Sequence, residues 1–468
     1  MNQKIMILML GLLIIMNLKQ LLTFFDVISI LRFYKQENKR SLPDGLHYPA
    51  IIVVIPVLRE QSTIEGTLSY FSSFTYPALH IAIVTTAREA TAKETPTTID
   101  VVKELTSRFH FNWVHFPSSN GTKADQLNYV IARFAELFPT LDAKRSFFAF
   151  YDADSRPHPA TFAHFARVHS EYPERNIFQQ SSIFYENFSR LGTSASSKIR
   201  TAFLQAQAVL QTRFTLGYEV PRFMNQLSFY NKRLNWRALL GSITYAHCVG
   251  HGLFVRASFL QEVSFPNEAM EDMFYGFVLN CLNEPITPIP VLTNSEMPAQ
   301  LKTLFYQRSR WFLGPARFKA YFSYVRAHFT HRSSLMRCIV IALFCFHNMI
   351  NWALTSLIFL GIMGGLIYGV TVLLWGMADE YQAILFLLSA LFLLLYLGSV
   401  AFLIQNFTLS VKLADPAKQA KPIPLNRHLR MLLVFPLVLL FHSFPAYYCL
   451  YDMVFRRAQL QHSKTERI

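Results

Sequence analysis

The chain has 468 residues, 52% of them hydrophobic and only 16% charged, with a formal net charge of +15. A composition this apolar, with a positive mean hydropathy, excludes an ordinary soluble protein of this length and calls for a membrane portion. The basic excess suits an anionic lipid surface or an anionic substrate; with no dense Lys/Arg tract and no zinc-finger spacing, nucleic acid is not expected as a partner, and five scattered cysteines without a CxxC pair predict neither a disulfide framework nor a cysteine metal site.

The first apolar run, Ile5 to Leu18, continues past Lys19 through QLLTFFDVISIL. No small-residue cleavage site follows, so residues 1–31 read as a membrane anchor rather than a signal peptide. Arg32, Lys35, Lys39 and Arg40 come next, and the positive-inside rule then predicts a cytoplasmic domain. That domain spans 41–330, where no apolar run is long enough to cross a bilayer.

Within it, AIIVVIPVLRE (50–60), HIAIVTT (80–86) and FFAFYDAD (147–154) read as buried strands. STIEGTLSYFSSF and TTIDVVKELTSRF between them have helical patterns. Buried strands alternating with helices predict a mostly parallel sheet covered on both faces. Ligands of such sheets bind beyond the carboxyl ends of the strands, where Arg59, Glu60, Asp152 and Asp154 fall. Asp152 and Asp154 alternate along an extended backbone, so both side chains start on one face and suit joint work on one cation; a solvated loop pair is the bland alternative. Neither GxGxxG nor GxxxxGK[ST] occurs in this domain, which leaves a dinucleotide or P-loop phosphate site unsupported.

Past the domain, Cys338 to Met377 contains no Asp, Glu, Lys or Arg. The run is either two spans or an interfacial helix over 338–352 followed by one span, and the second is favoured. Asp379 and Glu380 interrupt it, and Tyr381 to Val411 is again uncharged. A basic loop follows with Lys412, Lys418, Lys421, Arg427 and Arg430, then a last apolar run from Met431 to Tyr451 containing Pro436 and Pro445. The expected organisation is interfacial and transmembrane helices over 335–455 and a basic tail over 456–468.

The ordered set VVIPVLRE, GTKADQLNYV, FYDADSRP, CVGHGLFVR, MEDMFYG and QRSRW resembles family 2 glycosyltransferases. It is most similar to their membrane-embedded, synthase-like branch of cellulose, chitin and hyaluronan synthases and ceramide glucosyltransferase, over about 50–314. The resemblance implies a GT-A-type, Rossmann-like α/β domain flanked by transmembrane helices. It implies an inverting hexosyltransferase using a nucleoside-diphosphate sugar, with UDP as the expected nucleotide, and Mg²⁺ or Mn²⁺. By the same resemblance Asp152 contacts the sugar nucleotide and shares the metal with Asp154, and Asp272 is the base that deprotonates the acceptor. Glu271 orients that base or touches the acceptor. Gln307, Arg310 and Trp311 form the Q-x-x-R-W motif of an interfacial helix. Lys123 and Glu60 lie near the nucleotide, and His251 near the acceptor. The chemistry agrees: hard cations take carboxylate and phosphate oxygen, and Arg310 can hold diphosphate oxygens in a fork.

Two departures from the family pattern stand out. Thr85-Thr86, with Glu89 later, replace the acidic residues expected after the second strand, which leaves base recognition open. The stretch 186–246, with the amphipathic-looking IRTAFLQAQAVLQTRF, matches no motif and by its position is expected to shape acceptor choice. The implied product is a growing β-linked polysaccharide, with single transfer to a lipid as the alternative and room for an export partner. The implied place is a bacterial inner membrane, in contact with its lipids. A non-catalytic scaffold or transporter is the rival from another class. The sequons at Asn120, Asn187 and Asn406 carry no weight in a cytoplasmic domain.

Overall fold

The computed structural model describes residues 3–91, 95–192, 197–232, 235–241, 244–268, 270–375 and 380–456. Asp379, and the basic tail beyond Arg456, lie outside them.

Among the described residues seven strands form one sheet: β1 (Ala50–Pro56), β2 (Leu79–Thr86), β3 (Asn112–Phe116), β4 (Ser146–Phe150), β5 (Ile177–Ile183), β6 (Leu253–Arg256) and β7 (Ile286–Asn294). Their spatial order is β3-β2-β1-β4-β6-β5-β7. Every pairing is parallel except those of β6, which runs antiparallel to β4 and β5. The three strands read from the sequence are β1, β2 and β4, the adjacent centre of this sheet.

Residue alternation explains why those strands are apolar through their middles, after His80 and Ser146 near the starts of β2 and β4 and before Thr85-Thr86 at the end of β2. Ile52, Val54, Ala82, Val84, Phe148 and Phe150 bury on one face. Ile51, Val53, Ile55, Ile83, Phe147 and Ala149 bury on the other. With both faces covered by helices, period two leaves no position for a polar residue. The helices Lys123–Ala132 and Glu271–Cys281 pack on the first face, and Ile64–Ser72, Thr98–Leu105 and Thr161–Glu171 on the second. Chain order reverses at β1: β2 lies to one side and β4 to the other. A crevice opens beyond the carboxyl ends at such a point.

Among the described residues four helices are long and apolar enough to cross a membrane: Ile7–Glu37, Leu335–Leu374, Tyr381–Gln405 and Leu425–Phe455. Residues 338–374 form no antiparallel pair: they belong to one unbroken helix, Leu335–Leu374, which at 1.5 Å per residue is about 60 Å long and exceeds a single crossing. Pro436 and Pro445 sit inside the helix Leu425–Tyr451 without ending it. Lys418, in the basic loop, pairs with Glu186 of the α/β domain at 2.7 Å. Loop and domain therefore lie on one side of the helices.

The unplaced segment joins the two halves of the protein. Helix Lys198–Phe214 runs into a π-helical turn, Thr215–Glu219, and then helix Val220–Tyr230. The first is buried on nearly every side from Leu204 to Leu210, Gln205 and Gln207 included, so it is a wedge and not a surface amphipath. One core runs through it, from Val27 and Leu31 of the N-terminal helix to Leu204 and Val209, and on to Val400 and Val438.

Candidate active site

The loop after β4 is tightly held. Tyr151 N–H donates to Val54 O at 3.1 Å, extending the ladder by one residue. The Tyr151 hydroxyl donates to Gln180 Oε1 at 2.9 Å. Asp152 N–H donates to Ser155 Oγ at 3.0 Å, and Ser155 N–H returns to Asp152 O at 3.0 Å. Thr67 caps the Ala153 carbonyl. Asp152 and Asp154 thus stand on a braced turn at the mouth of a 1470 Å³ cavity.

Lys123 is the first residue of its helix, which Thr122 and Asp125 cap reciprocally. Its Nζ lies 2.8 Å from Asp152 Oδ1 and 3.6 Å from Glu271 Oε1. Burial pulls the Lys123 ammonium down, but Asp152 and then Glu271 outweigh it and hold it above its ordinary value. A single cation therefore ties the β4 loop to the start of the Glu271 helix.

That helix opens from Met270 in the left-handed region, φ 61°, a strained conformation for a non-glycine residue. The turn sends Glu271 and Asp272 into the cavity. Burial first, and Glu271 second, push Asp272 up to about 7, while Lys123 works in the opposite direction. A carboxylate so placed can accept a proton near neutral pH, as a general base must.

Gly250 and Gly252 have distinct reasons to be glycine. A Cβ on Gly250 would stand 3.0 Å from Asp272 Oδ2 and 3.3 Å from Lys123 Nζ. Gly252 has φ +68°, and its Cβ would meet Gln180 O at 2.9 Å. Between them His251 pairs with Ser182 of β5 through Nε2. Burial keeps its imidazole below the ordinary value even with Asp152 and Asp154 in reach.

Glu60 is buried beyond β1, with its N–H donating to Thr98 Oγ1 at 2.8 Å, and lines the cavity. Glu89 accepts from Arg59 N–H at 3.2 Å and Thr98 N–H at 2.9 Å. Thr85 accepts from Trp113 Nε1 at 2.9 Å and pairs with His115. These bonds tie the loops together through Glu89 Oε1, while Glu89 Oε2 is buried without a partner among the described residues; neither Glu89 nor Thr85 is among the residues that line the cavity.

Helix Leu301–Ala316 carries Gln307, Arg310 and Trp311 to the cavity from the side of the apolar helices. Phe305 meets Tyr448 at 5.4 Å and Phe312 meets Trp352 at 5.6 Å. Burial draws Arg310 down and Glu271 offsets part of that. Gln307 Oε1 is buried without a hydrogen-bond partner among the described residues.

All ten residues singled out in the sequence (Glu60, Lys123, Asp152, Asp154, His251, Glu271, Asp272, Gln307, Arg310 and Trp311) line this cavity. Other cations of the same cavity were not, among them Lys19, Arg213, Arg222 and Arg308. Lys19 had a signal, a lone charge inside an apolar run. Arg213 and Arg222 lie in the motif-free stretch.

Among the described residues no group of three His, Cys, Asp or Glu is arranged to enclose a metal by protein ligands alone. The donor set nevertheless fits a hard cation completed by substrate: Asp152 and Asp154 offer oxygen at an open cavity, and burial keeps Cys248, which also lines it, a thiol and not a thiolate.

Residues 49–314 match the family model described as "Glycosyltransferase like family 2". No curated protein sequence matches the chain. Among solved structures, a mannosyltransferase from Pyrobaculum calidifontis in complex with GDP-Man and Mn²⁺ is 12% identical, with 95% of this chain and 99% of that one covered at a TM-score of 0.45. Residues 1–349 of S. aureus TarS are 12% identical, with 83% and 90% covered at a TM-score of 0.37.

Proposed function

Because the chain belongs to the family 2-like glycosyltransferases, we propose that it is a membrane-bound inverting hexosyltransferase that moves a sugar from a nucleoside-diphosphate donor to a membrane-held acceptor. One observation carries this: Lys123 joins Asp152 to Glu271 beside Asp272, whose carboxylate burial and Glu271 raise to about 7. Donor groups and an acceptor base thereby share one cavity.

In this reading the acceptor oxygen attacks the anomeric carbon, its proton passes to Asp272, and the bond to the diphosphate breaks with its electron pair on the leaving group. Asp152 and Asp154 would hold Mg²⁺ or Mn²⁺, which when bound offsets the leaving group's charge. Lys123 and Arg310 add fixed cations against that same charge. Glu60 stands where the nucleoside would lie, and His251 and Trp311 where acceptor or sugar would. UDP is the donor nucleotide the motif order implies.

That motif order occurs both in synthases that extend β-linked polysaccharides and in a lipid glucosyltransferase. The cavity favours the lipid. Its far wall is built from Ile15 and Met16 of the N-terminal helix, Ile358, Phe359 and Phe392, side chains of three candidate spans. An apolar chain fits there better than a hydrophilic polymer does. The shared side of domain and basic loop, with the positive-inside rule, supports a cytoplasmic catalytic domain, and a bacterial inner membrane as its place.

A donor screen tests the proposal. Purified full-length protein with Mn²⁺ or Mg²⁺ is given labelled UDP- and GDP-sugars together with a membrane lipid extract. One sugar on an extractable lipid supports the lipid reading, whereas long digestible chains support polysaccharide growth. No product with any donor would refute both.

A further inference from the structure

The cavity continues past Asp272 into a chamber to which all four candidate spans contribute: Lys19 and Gln20, Asn348, Tyr396, and His442. Lys19, Arg213, Arg222 and Arg308 face it. The hydrogen-bond partners of the three guanidinium groups are neutral. Arg213 donates to Ser399 Oγ at 2.6 Å and to Gln20 Oε1 at 2.6 Å. Arg222 donates to Asn348 Oδ1 at 3.3 Å, and Arg308 to Gln211 Oε1. Lys19 lies 5.8 Å over the Tyr218 ring, and Arg213 lies 4.2 Å over that of Tyr396.

Among the described residues no ion pair joins any of the four to a carboxylate. Glu219 nearby accepts from Ser181 at 2.6 Å; burial pushes it up to about 7, with Ser181 and the Arg222 charge working in the opposite direction. With four cations against this carboxylate, the chamber carries an excess of positive charge. Tyr218 registers this: burial alone would raise its phenol, yet Arg213 and Lys19 hold it below its ordinary value. Buried charge without a counter-charge is costly, and an anionic ligand is what offsets it.

Arg308 shows where that ligand would sit. It is 5% exposed, stacks 4.9 Å over Trp311, and its Nε and Nη2 have no partner among the described residues. These two donors form one edge of the guanidinium, the edge that takes two oxygens of a phosphate. Arg308 and Arg310 are two residues apart, about 200° around the helix. Arg310 answers to Glu271, and Arg308 to Gln211 on the wedge helix. The two guanidinium groups therefore face different neighbours, which leaves Arg308 available for a second anion when Arg310 holds the donor's diphosphate.

We propose that the acceptor is an anionic phospholipid-type molecule whose phosphate is bound by Arg308 with Lys19, Arg213 and Arg222, its apolar chain among the spans and a headgroup hydroxyl toward Asp272. This rests on the glycosyl-transfer reading above, but its test reads binding and not transfer.

Full-length protein in a neutral maltoside detergent is melted with each of four probes. These are a single-chain phosphatidylglycerol, the monoacylglycerol of the same chain, glycerol phosphate, and an oligogalacturonate. The first alone is expected to raise the melting temperature, saturably. Arg308→Gln should weaken its binding about tenfold or more, and Arg308→Lys should recover part. If Arg308→Gln fails to fold, Lys19→Gln is read instead, with a smaller loss expected. An equal shift from the neutral lipid, from glycerol phosphate alone, or from the acidic oligosaccharide overturns the proposal, as does full binding in both variants. Nucleotide binding measured on the same sample separates this failure from failure of the enzyme reading: the donor can bind while the lipid does not, and the reverse.

Discussion

Lys123 Nζ stands 2.8 Å from Asp152 Oδ1, so the first residue of one helix neutralises the carboxylate that follows β4. The same nitrogen reaches Glu271 at 3.6 Å. The proposed donor and acceptor sides of the cavity share this one cation, and its removal should be felt on both.

Lys123→Met removes a cation that pairs with Asp152, so the donor's diphosphate meets more negative charge at the β4 loop. The KM for the nucleotide sugar should rise about tenfold to a hundredfold, with a smaller drop in kcat. Initial rates against donor concentration check this. An unchanged KM would remove Lys123 from the donor site.

Asp272 is raised to about 7 by burial and Glu271, and a base must be deprotonated. The rate should therefore climb with pH and level off above about 7. Stability runs the other way. Between the unfolded value near ~3.9 and about 7, the folded state holds more protons at this site, so its contribution to stability falls as pH rises. Asp272→Asn should melt above wild type at pH 8, with the gap closing toward pH 5. A gap that widens on acidification would contradict the assignment.

The two glycines should separate. Gly250→Ala places a methyl 3.0 Å from Asp272 Oδ2 and 3.3 Å from Lys123 Nζ, so kcat should fall about tenfold or more, since small misplacements at a reacting centre are costly, with little change in melting. Gly252→Ala strains a φ of +68° against Gln180 and should cost about 1–3 kcal/mol. Thermal melts and rates on both variants would expose a reversed pattern.

The central strands were legible because burial on both faces forces unbroken apolar runs. The outer ones were not. β5 reads IFQQSSI, where Gln179 and Gln180 are buried yet bonded across to His251 O and Thr161. β7 reads ITPIPVLTN, and its prolines are tolerated because it is an edge strand. In the site, motif residues were found by their order along the chain. Lys19, Arg213, Arg222 and Arg308 were not, because what unites them is a chamber between elements far apart in sequence. Glu89 is the instructive case: an acidic residue near the expected place, whose Oε1 is taken by Arg59 and Thr98 and which is not among the residues lining the cavity.

Asp152 and Asp154 as the metal-holding pair predict that chelation with EDTA abolishes transfer and that Mn²⁺ or Mg²⁺ restores it. Asp154→Asn should raise the Mn²⁺ concentration for half-maximal rate by about tenfold or more. Metal-independent transfer would take the pair out of that role.

The most direct measurement is transfer of labelled sugar by wild type and Asp272→Asn, side by side, with donor binding measured on the same samples. The account predicts that the variant binds the nucleotide normally while its kcat falls about 10²- to 10⁴-fold. Transfer at the wild-type rate in Asp272→Asn would contradict it.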